Sequence, residues 1–216
     1  LSLMGISNLP KINDLIGMYV PSTISGTQWK DLYGSANTMT IGSAWSLNKN
    51  WQYLKHDALD AEGITMNTTG FMDTIKSIVI VYNFNSTTAK NSIIYSDGTS
   101  GNFVSPRVDG YVWDVVPAGS EVYFDGVQSN SSHYSALSKQ PGLDVFSDKW
   151  TVVILNKQRL SAWNPVLKFF QYIDYPDYSP AVGTKVACIG VYNQDLTAAD
   201  IHDITHWGKS RFGNLV

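Results

Sequence analysis

Apolar and polar positions alternate over short stretches of this chain, and Gly, Pro, Asn, Asp and Ser punctuate the stretches. Runs of this kind, rich in β-branched and aromatic residues, predict strands rather than helices. Ile12 to Val20 predicts a short turn and a strand closed by Pro21. Residues 28–37 predict a polar loop held by one large apolar anchor, Trp29. Thr38 to Trp45 and Ile64 to Met66 predict short strands, and Trp45, Trp51 and Tyr53 cluster around a Gly- and Asn-punctuated stretch between them. The strongest strand pattern is Asp73 to Phe84. There Ile75, Ser77, Val79 and Val81 alternate with Lys76, Ile78, Ile80 and Tyr82. Both faces become apolar toward its end, which predicts a strand in the middle of a sheet covered on both sides. Asn91 to Tyr95 ends at the turn Ser96-Asp97-Gly98, and Gly110 to Val116 ends at Pro117. Ser120 to Phe124 ends at Asp125-Gly126. Trp150 to Leu155, Val166 to Ile173 and Lys185 to Tyr192 complete the predicted strands.

One helix is signalled. Thr197 precedes Asp200 by three residues, close to a capping box, and Ile201, Ile204 and Trp207 follow on one face. Gly208 is expected to end it. Residues 1–216 contain no internal repeat and no linker, so one domain of two packed antiparallel sheets is expected.

Composition agrees. The acidic residues are 16 Asp against 2 Glu (Glu62 and Glu121), and Ser, Thr, Asn and Gly make up about a third of the 216 residues. These residues favour caps, turns and strand ends over helix interiors. A hydrophobic content of 44% is enough to build a core. The net charge of −3 leaves no basic footprint for nucleic acid. No stretch approaches the roughly 18 apolar residues of a membrane span, so no membrane insertion is expected. Cys188 is the only cysteine, which rules out an intrachain disulfide; its apolar neighbours predict a buried strand residue rather than a nucleophile. The opening Leu-Ser-Leu-Met has neither an initiator Met nor a signal-peptide pattern, so the chain reads as excised from a larger protein. Sequons at Asn67, Asn85 and Asn130 are no more than chance expects in a chain rich in Asn, Ser and Thr, and matter only under eukaryotic secretion.

Three segments carry a resemblance. Trp29-Lys30-Asp31-Leu32-Tyr33-Gly34-Ser35-Ala36-Asn37 resembles a W-x-D-x-S-G-x-x-N segment, with Tyr33 where Ser is usual. Phe71 to Tyr82 is similar to a sheet strand of the same family. Val186 to Ile204, with Tyr192-Asn193 and Leu196-Thr197 before a short helix, resembles the family's ending. The family is the laminin G-like, concanavalin A-like lectin/glucanase superfamily, in its bacterial and phage branch. Val122 to Gly126 precedes Trp150 to Val153 here, whereas the family order is the reverse, so no mid-domain site transfers. The resemblance implies an all-β, two-sheet antiparallel jelly-roll sandwich, concanavalin A-like, with one short C-terminal helix and the chain ends close together. Such folds host sugar binders, glycan-cleaving enzymes and adhesive modules, so function is argued from a site.

Candidate chemistry is sparse. A glycosidase needs two carboxyl groups across the sugar. Glu121 and Asp125 share a strand face with Tyr123 and are the nearest analogue, although a solvated strand ending in an Asp-Gly hairpin explains them as well. His202 and His206 stand at helical i, i+4 spacing, suited to a metal but also to a helix C-terminus. Asp97 and Asn102 flank a Gly-rich turn whose oxygens suit calcium, which relatives hold at a sheet rim. Aromatic residues beside Asp suit sugar recognition. Tyr172, Asp174, Tyr175, Asp177 and Tyr178 form one such group, Tyr111 and Trp113 with Asp109 and Asp114 a second, and Trp45, Trp51 and Tyr53 a third; core packing is the competing explanation for each.

The expectation is a non-enzymatic recognition domain at the tip of a phage fibre or similar surface protein. It would act outside the cell or on the virion surface, bind a host-surface glycan or other receptor, and form a homotrimer, with no cofactor beyond calcium. A glycan-cleaving enzyme on the same fold and a purely structural virion module remain the alternatives.

Overall fold

A computed structural model describes residues 8–33, 37–48, 50, 52–58, 63–69, 72–85, 94–96, 103–106, 111–116, 119–129, 138–139, 147–158, 166–171 and 182–215. In chain order the strands are β1 (Leu15–Tyr19), β2 (Ile24–Ser25), β3 (Gln28–Lys30), β4 (Thr38–Ile41), β5 (Trp45–Leu47), β6 (Leu54–His56), β7 (Ile64–Asn67), β8 (Ser77–Asn85) and β9 (Tyr95–Ser96). They continue as β10 (Phe103–Pro106), β11 (Tyr111–Val115), β12 (Glu121–Phe124), β13 (Val127–Gln128), β14 (Ser138–Lys139), β15 (Ser147–Asn156), β16 (Val166–Phe169) and β17 (Lys185–Tyr192), and one helix follows, α1 (Ala198–Phe212).

The strands form two antiparallel sheets. An eight-stranded sheet has the order β13-β12-β15-β8-β17-β6-β5, with β1 also paired to β17. A nine-stranded sheet runs β14-β11-β10-β9-β16-β7-β4-β3-β2. Ile78, Ile80, Tyr82 and Phe84 of β8 point between the sheets and meet Val153, Leu155, Phe169, Met66 and Trp29 in one apolar core. The opposite face of β8 carries Val79 and Val81, which join Val152, Ile154 and Cys188 under Ile201, Ile204 and Trp207 of α1. The doubly apolar pattern of this strand therefore has a plain cause: a sheet covers one side and a helix the other.

Several expectations change. The polar loop at 28–37 begins as strand β3. Trp29 alternates inward from it, fully buried, and its indole donates to the Val20 carbonyl at 2.7 Å. The stretch Thr38 to Trp45 divides into β4 and the start of β5, with a turn at Gly42 to Ala44. The helix begins as expected, with a complete capping box between Thr197 and Asp200, but it does not stop at Gly208. Gly208 lies buried inside it and Gly213 caps its end. The two segments whose order departs from the family pattern are neighbours: β12 and β15 pair directly, with Val122 opposite Leu155.

Candidate functional site

The aromatic stretch between β5 and β6 divides between the two faces of the eight-stranded sheet. Trp45 turns into the sandwich, its ring centroid 4.9 Å from His56 and 5.4 Å from Phe170. Tyr53 turns the other way, to the helix side. The side chain of Asn48 fixes this turn by accepting from the backbone N–H of Gln52 at 2.6 Å and of Tyr53 at 3.2 Å. Such local side-chain acceptors hold a loop in place of a ladder.

Tyr53 reaches a corner built by three strands. In the ladder, Asn83 of β8 stands opposite Trp150 of β15 on one side and Lys185 of β17 on the other. The Trp150 ring lies 5.9 Å from Tyr53 and 6.4 Å from Phe212, and its indole donates to the Leu215 carbonyl at 3.0 Å. The Lys185 ammonium lies 5.3 Å from the Tyr53 ring centroid, within cation–π range. Between Ser147 and Trp150 the β15 ladder bulges, and Asp148 takes a left-handed φ of 57° there. Bulges re-aim side chains at sheet rims, and Asp tolerates this conformation better than most residues. The exposed Asp148 carboxylate thereby comes 4.0 Å from Lys185.

The two carboxylates expected as catalytic candidates are engaged elsewhere. Glu121 accepts from Tyr123 Oη at 3.0 Å and Asn156 Nδ2 at 3.0 Å, and pairs with Lys157. Burial works to raise its pKa, but the bonds from Lys157, Tyr123 and Asn156 outweigh it and hold the carboxyl below the usual range. It is thus ionised at neutral pH, with no proton to donate. Tyr123, beside it, is pushed up to about 12 by burial and by the Glu121 acceptor. Asp125 accepts from the Val152 backbone N–H at 2.8 Å and from Lys209 Nζ at 2.9 Å. It ties the β12–β13 hairpin to both β15 and α1.

His202 and His206 are exposed on α1, and His202 Nδ1 lies 3.2 Å from Asp203. Among the described residues, no three His, Cys, Asp or Glu side chains gather as a metal cluster. Cys188 is buried and free, and burial pushes its thiol pKa far up. Of Tyr111 and Trp113 the described structure includes only the backbone. β11 places Trp113 opposite Ser105 and Tyr111 opposite Lys139. Tyr172, Asp174, Tyr175, Asp177, Tyr178, Asp97, Asn102, Asp109, Trp51 and Asn130 lie outside the described residues. Segment 172–181 is nonetheless bounded by described neighbours. It follows Gln171, which accepts from Gly63 N at 3.2 Å, and it ends three residues before Thr184, which leads into Lys185. Lys185, Asp148 and Asn83 carry no motif, and Trp150 entered the sequence reading only as the start of a strand; Tyr53, already marked as part of an aromatic cluster, pointed toward this corner.

No family model matches the sequence, and no curated protein matches it. Its fold is similar to solved structures. Trypanosoma rangeli sialidase in complex with sialic acid is 13% identical over 96% of this chain and 35% of its own, with a TM-score of 0.57. The sialidase of the same organism in complex with 2,3-difluoro-KDN gives 13%, 96%, 34% and 0.58. The HCR/D F1240A mutant is 13% identical over 92% of this chain and 52% of its own, with a TM-score of 0.56. The chain thus spans about a third of the sialidase and about half of HCR/D. At such identities the likeness establishes the fold, an antiparallel all-β sandwich, and leaves the chemistry to the chain's own residues.

Proposed function

We propose that this chain is a non-enzymatic carbohydrate-recognition module of the concanavalin A-like type, forming one domain of a longer surface protein such as a phage fibre. The observation that carries the reading is the corner where half-buried Tyr53, backed by the buried Trp150, stands beside Lys185 and Asp148. Aromatic faces for sugar C–H groups and nearby charged groups for hydroxyls are the elements that carbohydrate recognition uses. Tyr172, Asp174, Tyr175, Asp177 and Tyr178 are assigned to one sugar-contact group, on the mixture of aromatic and Asp residues in their sequence. Tyr111 and Trp113 are assigned to a second one. A sialidase with sialic acid among the structures of like fold supports a carbohydrate partner. Lys157 and Lys209, which hold Glu121 and Asp125, support the non-enzymatic part. Calcium at Asp97 and Asn102, a homotrimer and an extracellular or virion-surface location complete the proposal.

A glycan array run with and without calcium tests it. Binding to a defined carbohydrate class is expected. No binding under either condition overturns the reading and leaves a structural module.

A further inference from the structure

We infer that the corner of Tyr53, Lys185, Asn83 and Asp148 is a subsite for a neutral sugar ring, held through two adjacent hydroxyl groups. The inference rests on the recognition reading above and names its chemistry. Lys185 Nζ lies 4.0 Å from the nearest Asp148 oxygen, beyond hydrogen-bond reach, and 5.3 Å from the Tyr53 ring centroid. It is therefore a donor group with no hydrogen bond to a described protein acceptor. Directly opposite in the ladder, Asn83 is 2% exposed and its Oδ1 is buried with no hydrogen-bond partner. Buried acceptors in native proteins are nearly always satisfied; this one is among several such atoms here, and its place opposite Lys185 sets it apart.

The ladder thus sets a residue with an unused donor opposite a residue with an unused acceptor. A vicinal diol matches both: one hydroxyl oxygen accepts from the Lys185 ammonium and the neighbouring O–H donates to Asn83 Oδ1. The methylene stem of Lys185 is the movable part of the corner, since long cationic side chains shift their heads while their stems stay packed. Tyr53, flanked by Trp150, offers apolar surface to the ring's C–H groups. Asp148, exposed on its bulge, accepts a further hydroxyl. The same carboxylate sets the class: only 4.0 Å from the ammonium, it repels a sugar acid from Lys185.

Titrating the methyl glycosides of galactose, glucose and mannose into the ¹⁵N-labelled chain, followed by NMR, tests this. At least one is expected to bind saturably and to shift the Trp150 indole N–H resonance, assigned through Trp150→Phe. Lys185→Met and Tyr53→Ala are each expected to weaken it about tenfold, the loss of a hydrogen bond or an aromatic contact. Thermal unfolding confirms that each variant is folded. If Tyr53→Ala fails to fold, Lys185→Met decides alone. Unchanged affinity in a folded variant overturns the subsite and leaves the recognition reading intact. So does an array on which another carbohydrate binds while none of the three glycosides does. N-acetylneuraminate binding more tightly than all three overturns the neutral-diol assignment. A chain that binds nothing on the array overturns both.

Discussion

Gly208 packs against Val152 so closely that a Cβ at position 208 would sit 2.5 Å from Val152 Cγ2. Helix propensity favours Ala over Gly there by about 1 kcal/mol. Overpacking against a sheet residue costs about 1–3 kcal/mol. The close approach is expected to win, so Gly208→Ala should lower the urea midpoint. Adding Val152→Ala in the same chain should recover part of the loss beyond simple additivity. Two additive effects would mean that the helix and sheet do not meet there.

Asn156 is fully buried and makes four bonds. Its Oδ1 accepts from Ser77 Oγ and from the Leu196 backbone N–H, each at 2.8 Å, and its Nδ2 donates to Glu121 and to the Leu196 carbonyl, each at 3.0 Å. Asn156→Ala leaves several buried groups without partners, each worth about 1–3 kcal/mol. It should be among the most destabilising single changes in the chain. Denaturant unfolding reads this directly; a loss below about 1 kcal/mol would mean that water replaces the amide.

Glu121 and Asp200 both have carboxyl pKa values held low. At Asp200 burial works upward, but its bonds with Thr197 and the nearby Lys11 outweigh it. A carboxyl whose pKa is depressed on folding stabilises the fold fully above its unfolded value, about 4.3 for Glu, and loses that contribution as pH falls through its folded value. Stability should therefore drop as pH falls below about 4. Glu121→Gln should flatten that acid limb and lower stability at neutral pH. Urea midpoints at a series of pH values give the test, and identical acid limbs would contradict it.

Asp125 turns the β12–β13 hairpin with a φ of 48° while holding Val152 N and Lys209. Asp125→Asn keeps the conformation and one acceptor, so its cost should stay below about 1 kcal/mol, as for a partly exposed ion pair. Asp125→Ala loses both and sits poorly at positive φ, which points to about 1–3 kcal/mol. Equal costs for the two would remove the backbone bond from the account.

The fold was legible where alternation ran long and led to a wrong or empty prediction where it did not. β8, β15 and β17 carry enough β-branched residues to mark themselves. β6 and β10, at three and four residues, were missed, because so few positions cannot show a period. Gly208 read as a stop because a helix-ending glycine and a close-packed one look alike until the opposing Val152 is known. The Tyr53 corner was hidden for a related reason. Asn83, Trp150 and Lys185 lie far apart in sequence, and only the ladder registers and the bulge at Asp148 bring them together.

Strand β17, near the end of the chain, lies in the interior of the eight-stranded sheet, between β8 on one side and β6 and β1 on the other. During vectorial synthesis, β8, β6 and β1 all emerge long before the strand that joins them. Until then each presents an unpaired apolar edge, the condition under which nascent chains stick to one another. Closure must wait for contacts distant in sequence, a topology that folds slowly. A chain stopped before residue 185 would therefore leave the ribosome as a client for chaperones rather than as a smaller version of the same domain.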